Sequence, residues 1–204
     1  MTANSTLLNH DREMMERYGA LGGMDEVGRG ALAGPVAVGC VHIHRESMAK
    51  EFMRGVDDSK RLSPARRERL CEKFRTEEGL EIGIGEASNE EIDKLGIVEA
   101  TDRAAQRAYR GLESDLDLLL VDGGLDPSVE GQVQTIEGGD GKSLHIAVAS
   151  VLAKVYRDRL MYRLAEQYPG YHWQSNVGYG TAQHRDALKR VGPSPLHRRS
   201  FKLC

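Results

Sequence analysis

Segments typical of strands and segments typical of helices alternate along this chain, and no other feature restricts its fold as strongly. Residues 34–43 are rich in Val and Ile and predict a strand that continues from Met24. "LEIGIGEAS" has apolar residues at alternate positions, and "LDLLLVDGG" is a continuous apolar run that predicts a buried strand entering a loop. A helix is predicted to start at Pro64 with Ser63 as its N-cap, and "SNEE" over 88–91 has the spacing of a capping box before another helical stretch. Periodicity predicts two longer helices, over 97–110 and 143–168. Strands interleaved with helices predict the α/β class.

The length and composition indicate one globular domain. The chain has 204 residues, of which 40% are hydrophobic and 29% charged, and no segment has the composition of a linker. We therefore predict a single domain over residues 1–204, with 1–20 as an N-terminal extension and 169–204 as a basic C-terminal region. No apolar run reaches the length of about 18 residues that a membrane-spanning helix needs.

The cysteines and the first residues bear on the compartment. The first 19 residues lack the apolar core of a secretory signal and contain early acids. Cys40, Cys71 and Cys204 are far apart and odd in number, which indicates reduced thiols and offers no metal-ligand spacing. These features predict a cytoplasmic protein.

Charge is distributed unevenly along the sequence. From Lys154 onward there are ten Lys or Arg and three acids, a net charge of +7, so the preceding residues carry −10. A basic end beside an acidic body is typical of a phosphate-binding face next to a metal centre, although a solvated helix surface accounts for the charge equally well. The candidate phosphate contacts are Arg157, Arg185, Lys189, Arg198 and Arg199.

Acidic residues occupy positions where a buried strand is predicted. Asp25 and Glu26 are adjacent within an apolar segment, and Asp122 ends another strand. In an extended backbone the adjacent pair would point to opposite faces, so only one of them must line a site directly. Sheet pairing could bring Asp25 beside Asp122, and such a cluster is costly without a cation such as Mg²⁺ or Mn²⁺. Asp140 could complete the cluster, or it could cap the helix that follows, and an Asp-Gly turn is a similar alternative for Asp122.

The glycines of "GRGALAG" do not form a dinucleotide-binding motif. Gly28, Gly30 and Gly34 have the spacing G-x-G-x-x-x-G, and a strand follows where that motif needs a helix. These glycines could instead let the backbone approach a substrate closely, with Arg29 available for a phosphate.

Taken together, the motifs resemble one known family. "MDEVGRGALAGPVAV" resembles the signature segment of ribonuclease HII, the type 2 ribonuclease H, and similar blocks follow in the family's order. They span residues 22–201 and read "DDSKRLSPARRERL", "VDGG", "GDGKSLHIAVASVLAKVYRDRLM", "NVGYGTAQH" and "GPSPLHRRSF". The resemblance implies a ribonuclease H-like fold, which is a central mixed five-stranded sheet flanked by helices. It also implies an endonuclease that hydrolyses RNA within RNA/DNA duplexes.

The resemblance assigns residues to roles. The family's catalytic and metal-binding acids correspond to Asp25, Glu26, Asp122 and Asp140, which replaces the capping interpretation of Asp140. Its substrate-binding motif corresponds to Gly28, Arg29 and Gly30, and its substrate tyrosine to Tyr179. Lys60 and Ser143 lie in family blocks and are candidates for phosphate contacts, although Lys60 could be a solvated charge.

Some positions depart from the family pattern. Val27 stands where Ala is usual, and Val177 stands where Lys is frequent, which would remove one phosphate contact. C-terminal helices present in some relatives are absent from this sequence, and no peptide for binding a sliding clamp is evident. His145 and His184 are interpreted as packed or surface histidines, and Tyr171 and Trp173 as a small hydrophobic cluster.

The resemblance therefore predicts a monomeric, Mg²⁺- or Mn²⁺-dependent ribonuclease. It would act on RNA/DNA hybrids and on DNA duplexes that carry single ribonucleotides, cutting on the 5′ side of the ribonucleotide. Two alternatives stay open: a hybrid-binding protein that does not cut, and a ribonuclease HIII-like enzyme, whose motif carries Lys where Arg29 stands.

Overall fold

A five-stranded mixed sheet forms the centre of the molecule. The computed structural model describes residues 3–50, 53, 55, 56 and 62–203. Across the sheet the strand order is β3-β2-β1-β4-β5, in which β1 pairs antiparallel with β2 and parallel with β4. The strands are β1 (Leu21–Val27), β2 (Val36–Ile43), β3 (Leu80–Ala87), β4 (Leu118–Asp122) and β5 (Gln132–Ile136). The predicted mixed five-stranded sheet is confirmed.

Helices cover both faces of this sheet. They are α1 (Ala3–Tyr18), α2 (Pro64–Thr76), α3 (Asn89–Leu95), α4 (Ile97–Tyr109), α5 (Leu144–Gln167), α6 (Trp173–Asn176) and α7 (Ala182–Val191). One core lies between the sheet and α1, α2 and α5, and a second lies between the sheet and α3 and α4. Because helices cover both faces, β2 is buried along its whole length, which explains its nearly continuous apolar sequence.

The predicted helices over 97–110 and 143–168 are confirmed as α4 and α5. The capping signals of two other helices also form: Ser63 caps α2 with Pro64 in the first turn, and Ser88 and Glu91 form a capping box on α3. Local side-chain to backbone hydrogen bonds decide these helix starts, so the sequence reveals them directly.

The prediction of one strand running from Met24 to residue 43 is wrong. The chain leaves β1 after Val27 and returns antiparallel as β2 from Val36. Between them, Gly28 and Gly34 have φ of +89° and +78°, a left-handed conformation that an extended strand cannot contain. The chain therefore reverses at the glycine-rich motif, which places that motif at one end of the sheet.

Two glycines let α5 lie directly against the sheet. A Cβ atom on Gly23 would lie 2.3 Å from the carbonyl carbon of His145, and one on Gly39 would lie 2.5 Å from the carbonyl oxygen of Ala149. Real side chains do not tolerate such distances, so only glycine allows this helix to cross β1 and β2 so closely. The first half of α5 is thereby placed beside the carboxyl end of β1.

The segment treated as an N-terminal extension contributes a buried anchor. Asp11 of α1 is fully buried, and its Oδ2 accepts hydrogen bonds from the Ser143 hydroxyl (3.0 Å), the His145 backbone N–H (2.9 Å) and His145 Nδ1 (2.7 Å). Burial alone would raise the pKa of Asp11, but hydrogen bonds from His10 and His145 outweigh it and lower the pKa to about 2. A carboxylate from α1 therefore holds the N-terminus of α5 in place.

Removing this anchor should destabilise the fold. We expect Asp11→Ala to lower the free energy of unfolding by about 2–4 kcal/mol, because three buried donors lose their acceptor. Because folding lowers the pKa of Asp11 from 3.8 to about 2, its contribution is present above pH 4 and is lost as the pH falls toward 2. Urea unfolding at pH 7 and pH 3 measures both effects.

Glu16→Gln is the matched control for Asp11→Ala, since its side chain is 68% exposed on the same helix. This variant should unfold like wild type at both pH values. Equal stability of Asp11→Ala and Glu16→Gln at pH 7 would contradict the anchoring role.

None of the helices in the described part of the chain combines the length and apolar character needed to span a bilayer.

Candidate active site

Three of the predicted acids meet at the carboxyl end of the two central strands. β1 and β4 run parallel with Met24 opposite Val121, so the next residues along the strands, Asp25 and Asp122, lie side by side. Asp25, Glu26 and Asp122 all line one cavity of about 330 Å³. Both members of the adjacent pair reach the site, because it lies at the end of the strand and the longer Glu26 side chain extends around it.

Asp25 is held in an environment that opposes its negative charge. It is 7% exposed, and its Oδ1 accepts the backbone N–H of Glu26 at 2.8 Å. Burial raises the pKa of Asp25 well above 3.8; a hydrogen bond with Ser150 opposes this, and the carboxylates of Glu26 and Asp122 raise the pKa further. A nearby cation would relieve this repulsion.

Glu26 has one oxygen paired with a cation and one buried oxygen without a partner. Its Oε1 lies 3.6 Å from Arg29 Nη1, whereas Oε2 is buried and has no hydrogen-bond partner among the described residues. Burial raises the pKa of Glu26 above its ordinary value, and the charge of Arg29 opposes that rise. A buried carboxylate oxygen without a donor is suited to binding a metal ion.

Asp140 is close to this group but does not face the cavity. Asp122 Oδ1 accepts the backbone N–H of Gly139 at 2.5 Å, so the neighbouring Asp140 is held near the end of β4. Asp140 lies in a short 3₁₀ helix, Gly139–Gly141, and is 4% exposed. Among the described residues that line the cavity, Asp140 is not included. Ser143, and not Asp140, caps α5.

The glycine-arginine-glycine segment and Tyr179 lie beside the acids. Gly28, Arg29, Gly30 and Tyr179 all line the same cavity, and the Gly28 N–H donates to the Tyr179 hydroxyl at 3.1 Å. A Cβ on Gly28 would clash with the Arg157 side chain, but one on Gly30 would meet only open space. Packing against Arg157 therefore requires glycine at position 28. At position 30 no other atom lies close to where a side chain would begin, so the backbone there is accessible.

Arg157 and Arg198 were predicted to contact phosphates, and that prediction is wrong. Both are buried and donate hydrogen bonds to backbone carbonyls of the segment that joins β1 to β2. Arg157 is fully buried and donates to the carbonyl oxygens of Ala33, Pro35 and Val177. Its guanidinium also lies 5.4 Å from the centre of the Tyr179 ring. Unsatisfied loop carbonyls need buried donors, and the five N–H groups of arginine supply several at once.

Arg198 has a similar structural role. It is fully buried and donates to the carbonyl oxygens of Gly34 (3.0 Å) and Arg29 (2.8 Å). Burial and the charge of Arg157 lower the pKa of Arg198 to about 9. Arg198, in the C-terminal segment, thus holds the backbone of the glycine-arginine-glycine motif in place by hydrogen bonds.

Other predicted contacts divide between surface and interior. Lys189 and Arg199 are exposed, and Arg185 is partly exposed, so these three remain candidates for phosphate contacts. Ser143 is fully buried with its hydroxyl on Asp11, which contradicts its assignment to phosphate. Lys60 lies outside the described residues.

The histidines and aromatic residues interpreted as packed are buried. His184 is fully buried and accepts the indole N–H of Trp173 at 3.1 Å, and Tyr171 stacks on Trp173 with ring centres 5.2 Å apart. His145 is fully buried on Asp11. The small hydrophobic cluster predicted around Tyr171 and Trp173 is confirmed.

Ser150 and Lys154 are site residues that the sequence analysis missed. Both lie on α5 and line the cavity. Lys154 Nζ also lies 3.4 Å from an oxygen of Asp158, one helical turn further on. Ser150 and Lys154 are four residues apart and therefore lie on one face of α5. This spacing could have identified both as site residues once α5 was known to cross β1.

Comparison with known proteins agrees with this geometry. The ribonuclease HII family model matches residues 22–204. The chain belongs to the ribonuclease HII family. It is 49% identical to ribonuclease HII of Paramagnetospirillum magneticum over 183 residues, which cover 90% of both chains. It is 48% identical to ribonuclease HII of Rhodospirillum rubrum, covering 90% of this chain and 84% of that one.

Solved structures show the same fold. The ribonuclease H2 of Pyrococcus horikoshii superposes with a TM-score of 0.74 at 26% identity, covering 90% of this chain and 94% of that one. A ribonuclease HIII solved in complex with Mn²⁺, Bst-RNase HIII, superposes with a TM-score of 0.72 at 18% identity, covering 90% of this chain and 67% of that one. The ribonuclease H-like fold is therefore confirmed.

Membership of the ribonuclease HII family decides against the alternative of a hybrid-binding protein that does not cut. The protein is an endoribonuclease that hydrolyses the RNA strand of RNA/DNA hybrids, and not a binding protein without activity. The likeness to Bst-RNase HIII, at 18% identity, shows the fold alone, whereas the HII family model matches residues 22–204.

Proposed function

We propose that this enzyme needs a divalent metal and also cuts DNA duplexes on the 5′ side of a single embedded ribonucleotide. The products would carry 5′-phosphate and 3′-hydroxyl ends. The observation that carries the proposal is that three carboxylates line one cavity together with Gly28, Arg29, Gly30 and Tyr179. Carboxylates that could bind metal and groups that could recognise a sugar therefore line the same cavity.

The acids fit Mg²⁺ or Mn²⁺. Asp25, Glu26 and Asp122 would hold the cation, with Asp140 held close to Asp122 through Gly139. The buried, unpartnered Oε2 of Glu26 and the raised pKa of Asp25 both favour a cation at this point. When bound, such a cation lowers the pKa of a coordinated water and offsets the charge that builds up on the reacting phosphate.

The chain's own residues would orient the substrate. Open space above Gly30 would let a ribose come close enough for its 2′-hydroxyl to bond the backbone, and that hydroxyl is the group that separates RNA from DNA. Arg29 and Lys154 line the cavity and could neutralise a phosphate. The Tyr179 ring, tied to Gly28 through its hydroxyl, would stack on the sugar of the next nucleotide.

Cations of the basic C-terminal region would extend the contact along the duplex. In the basic region over 169–204, Lys189 is exposed and Arg185 partly exposed on α7, and Arg199 is exposed beyond that helix. Each phosphate contact strengthens binding without regard to sequence. The monomer would be sufficient for this arrangement, because every group named lies on one chain.

Cutting at single ribonucleotides would start ribonucleotide excision repair. The free thiols of Cys40 and Cys71 are buried, and free thiols are typical of proteins in a reducing compartment. We therefore propose that the enzyme works in the cytoplasm, on DNA in which ribonucleotides have been incorporated.

A cleavage assay on three labelled duplexes tests the proposed function. The duplexes are a continuous RNA/DNA hybrid, a DNA duplex with one ribonucleotide, and an all-DNA duplex of the same sequence. We expect Mg²⁺- or Mn²⁺-dependent cutting of the first two, with the cut in the second on the 5′ side of the ribonucleotide. Cutting that persists in EDTA, or an intact single-ribonucleotide duplex beside a cleaved hybrid, would contradict the proposal.

A further inference from the structure

Two histidines and a glutamate meet at the end of the sheet opposite to the catalytic acids. His42 of β2 lies directly across from Glu81 of β3, and His44 follows two residues later on the same face. One ring nitrogen from each histidine and one Glu81 carboxylate oxygen lie within 4.8 Å of one another. Asp25 pairs with Gly39, so this cluster is displaced from the acids by about 10 Å along β2.

The hydrogen bond of His42 leaves a nitrogen suited to binding a metal. His42 is 7% exposed, and its Nδ1 lies 2.8 Å from the carbonyl oxygen of Leu21. A carbonyl oxygen only accepts, so the proton is on Nδ1 and the lone pair is on Nε2. A backbone carbonyl that orients a histidine in this way is the usual support of a metal-binding imidazole.

Glu81 is held as an oriented carboxylate. It accepts hydrogen bonds from the backbone N–H groups of Glu113 (2.7 Å) and Ser114 (2.9 Å), and from the Ser114 hydroxyl. These three donors fix the direction of the carboxylate before any ligand arrives.

His44 completes the cluster on the side that solvent can reach. Its Nε2 lies 3.4 Å from Glu81 Oε1, and its side chain is 41% exposed. The ring centres of His42 and His44 are 4.9 Å apart, and the ring planes are tilted by 48°. Both histidines line a cavity of about 360 Å³, together with Arg45 and Glu46, and this cavity has room for water.

We propose that His42, His44 and Glu81 form a second metal site, specific for a transition metal such as Zn²⁺, with water in the remaining position. Two imidazoles and one carboxylate suit Zn²⁺, Co²⁺ or Ni²⁺, whereas the all-carboxylate active site suits Mg²⁺ or Mn²⁺. The bound ion would join the ends of β2 and β3 and stabilise the fold without taking part in cleavage.

Metal titration of the full-length protein tests this site. The protein is freed of metal with EDTA and dialysed against excess Mg²⁺, which keeps the carboxylate site occupied. Zn²⁺ is then titrated in competition with a chromophoric chelator, and Co²⁺ is added separately to record its visible absorption. We expect one Zn²⁺ per chain, a Co²⁺ spectrum typical of mixed nitrogen and oxygen ligands, and a higher unfolding midpoint with Zn²⁺.

Three variants locate the site on the chain. His44→Ala and Glu81→Gln should each weaken Zn²⁺ binding by at least about tenfold and lose the thermal shift. His172→Asn, which alters a histidine outside the cluster, should bind Zn²⁺ like wild type. Circular dichroism without metal checks that each variant is folded, and His44→Ala should cleave an RNA/DNA hybrid at the wild-type rate.

Two outcomes would overturn the proposal. Wild type that binds no Zn²⁺ in excess Mg²⁺ would mean that His44 and Glu81 form an ordinary hydrogen-bonded pair. Folded His44→Ala and Glu81→Gln that both bind Zn²⁺ as tightly as wild type would place the ion elsewhere. Neither outcome depends on whether the nuclease cuts single ribonucleotides.

Discussion

Asp25→Asn and Asp122→Asn should each reduce the rate of RNA cleavage by at least about 100-fold. Both carboxylates lie at the carboxyl ends of paired strands and line the same cavity as Glu26. Removing either charge weakens the hold on a cation while leaving the shape of the side chain almost unchanged. Single-turnover cleavage of an RNA/DNA hybrid at saturating Mg²⁺ measures the effect, and Mn²⁺ titration of the same variants measures metal affinity.

Asp25→Asn should raise the stability of the metal-free protein although it lowers the rate of cleavage. Folding raises the pKa of Asp25, so this carboxyl favours the fold while protonated and opposes it as the pH rises through the raised pKa. Without metal at pH 7, Asp25→Asn should therefore have a higher unfolding midpoint than wild type. The difference should shrink as the pH falls well below 3.8, because wild-type Asp25 is then protonated in both states.

Asp115→Asn is the control for these variants, since Asp115 is an exposed acid away from the cavity. It should leave cleavage, metal affinity and the unfolding midpoint at wild-type values. Near-normal turnover by both active-site variants would refute their assignment to the metal. A lower unfolding midpoint for Asp25→Asn in EDTA would contradict the charge repulsion inferred for the site.

Tyr179→Ala should reduce cutting at a single embedded ribonucleotide by about tenfold or more, and should reduce duplex binding much less. Stacking of an aromatic ring on a nucleotide contributes about 1–3 kcal/mol, and Tyr179 is the aromatic residue that lines the cavity. A continuous hybrid presents many ribonucleotides, so cleavage there should depend less on holding one junction. Rates on the two substrates, with binding measured separately, give the comparison.

Tyr179→Phe separates stacking from loop positioning. Phenylalanine keeps the ring but removes the hydroxyl that accepts the Gly28 N–H. If stacking dominates, Tyr179→Phe should cut the single-ribonucleotide duplex nearly as well as wild type. Tyr162→Ala is the control, because Tyr162 is 42% exposed on the outer part of α5. Equal losses by Tyr179→Ala on both substrates would reject recognition of the junction.

Properties that depend on neighbouring residues could be predicted from the sequence. The caps of α2 and α3 and the two long helices depend on hydrogen bonds and periodicities within a few residues, and they form as predicted. The adjacent acids in an apolar strand also indicated a charged centre, because burying carboxylates close together is costly without a cation. The ordered family motifs extended that inference to Asp122, Asp140 and Tyr179.

Which charged side chains face solvent could not be decided in this way. Arg157 and Arg198 look like surface cations in a basic segment, yet both are buried beneath the glycine-arginine-glycine loop. Ser143 looked available for phosphate, yet its hydroxyl belongs to Asp11, 132 residues away in the chain. Each of these roles depends on loop carbonyls or a carboxylate that only the folded chain brings within reach.

The sequence by itself determined the α/β class, the starts of α2 and α3 and the presence of an adjacent acidic pair in an apolar strand, since these follow from local hydrogen bonding, periodicity and charge. Only the tertiary structure decided that the chain reverses at Gly28–Gly34, that α1 anchors α5 through Asp11, and that His42, His44 and Glu81 converge. Those features depend on strand register and helix crossing. Register and crossing are set by many weak contacts between distant residues, and no short segment carries them.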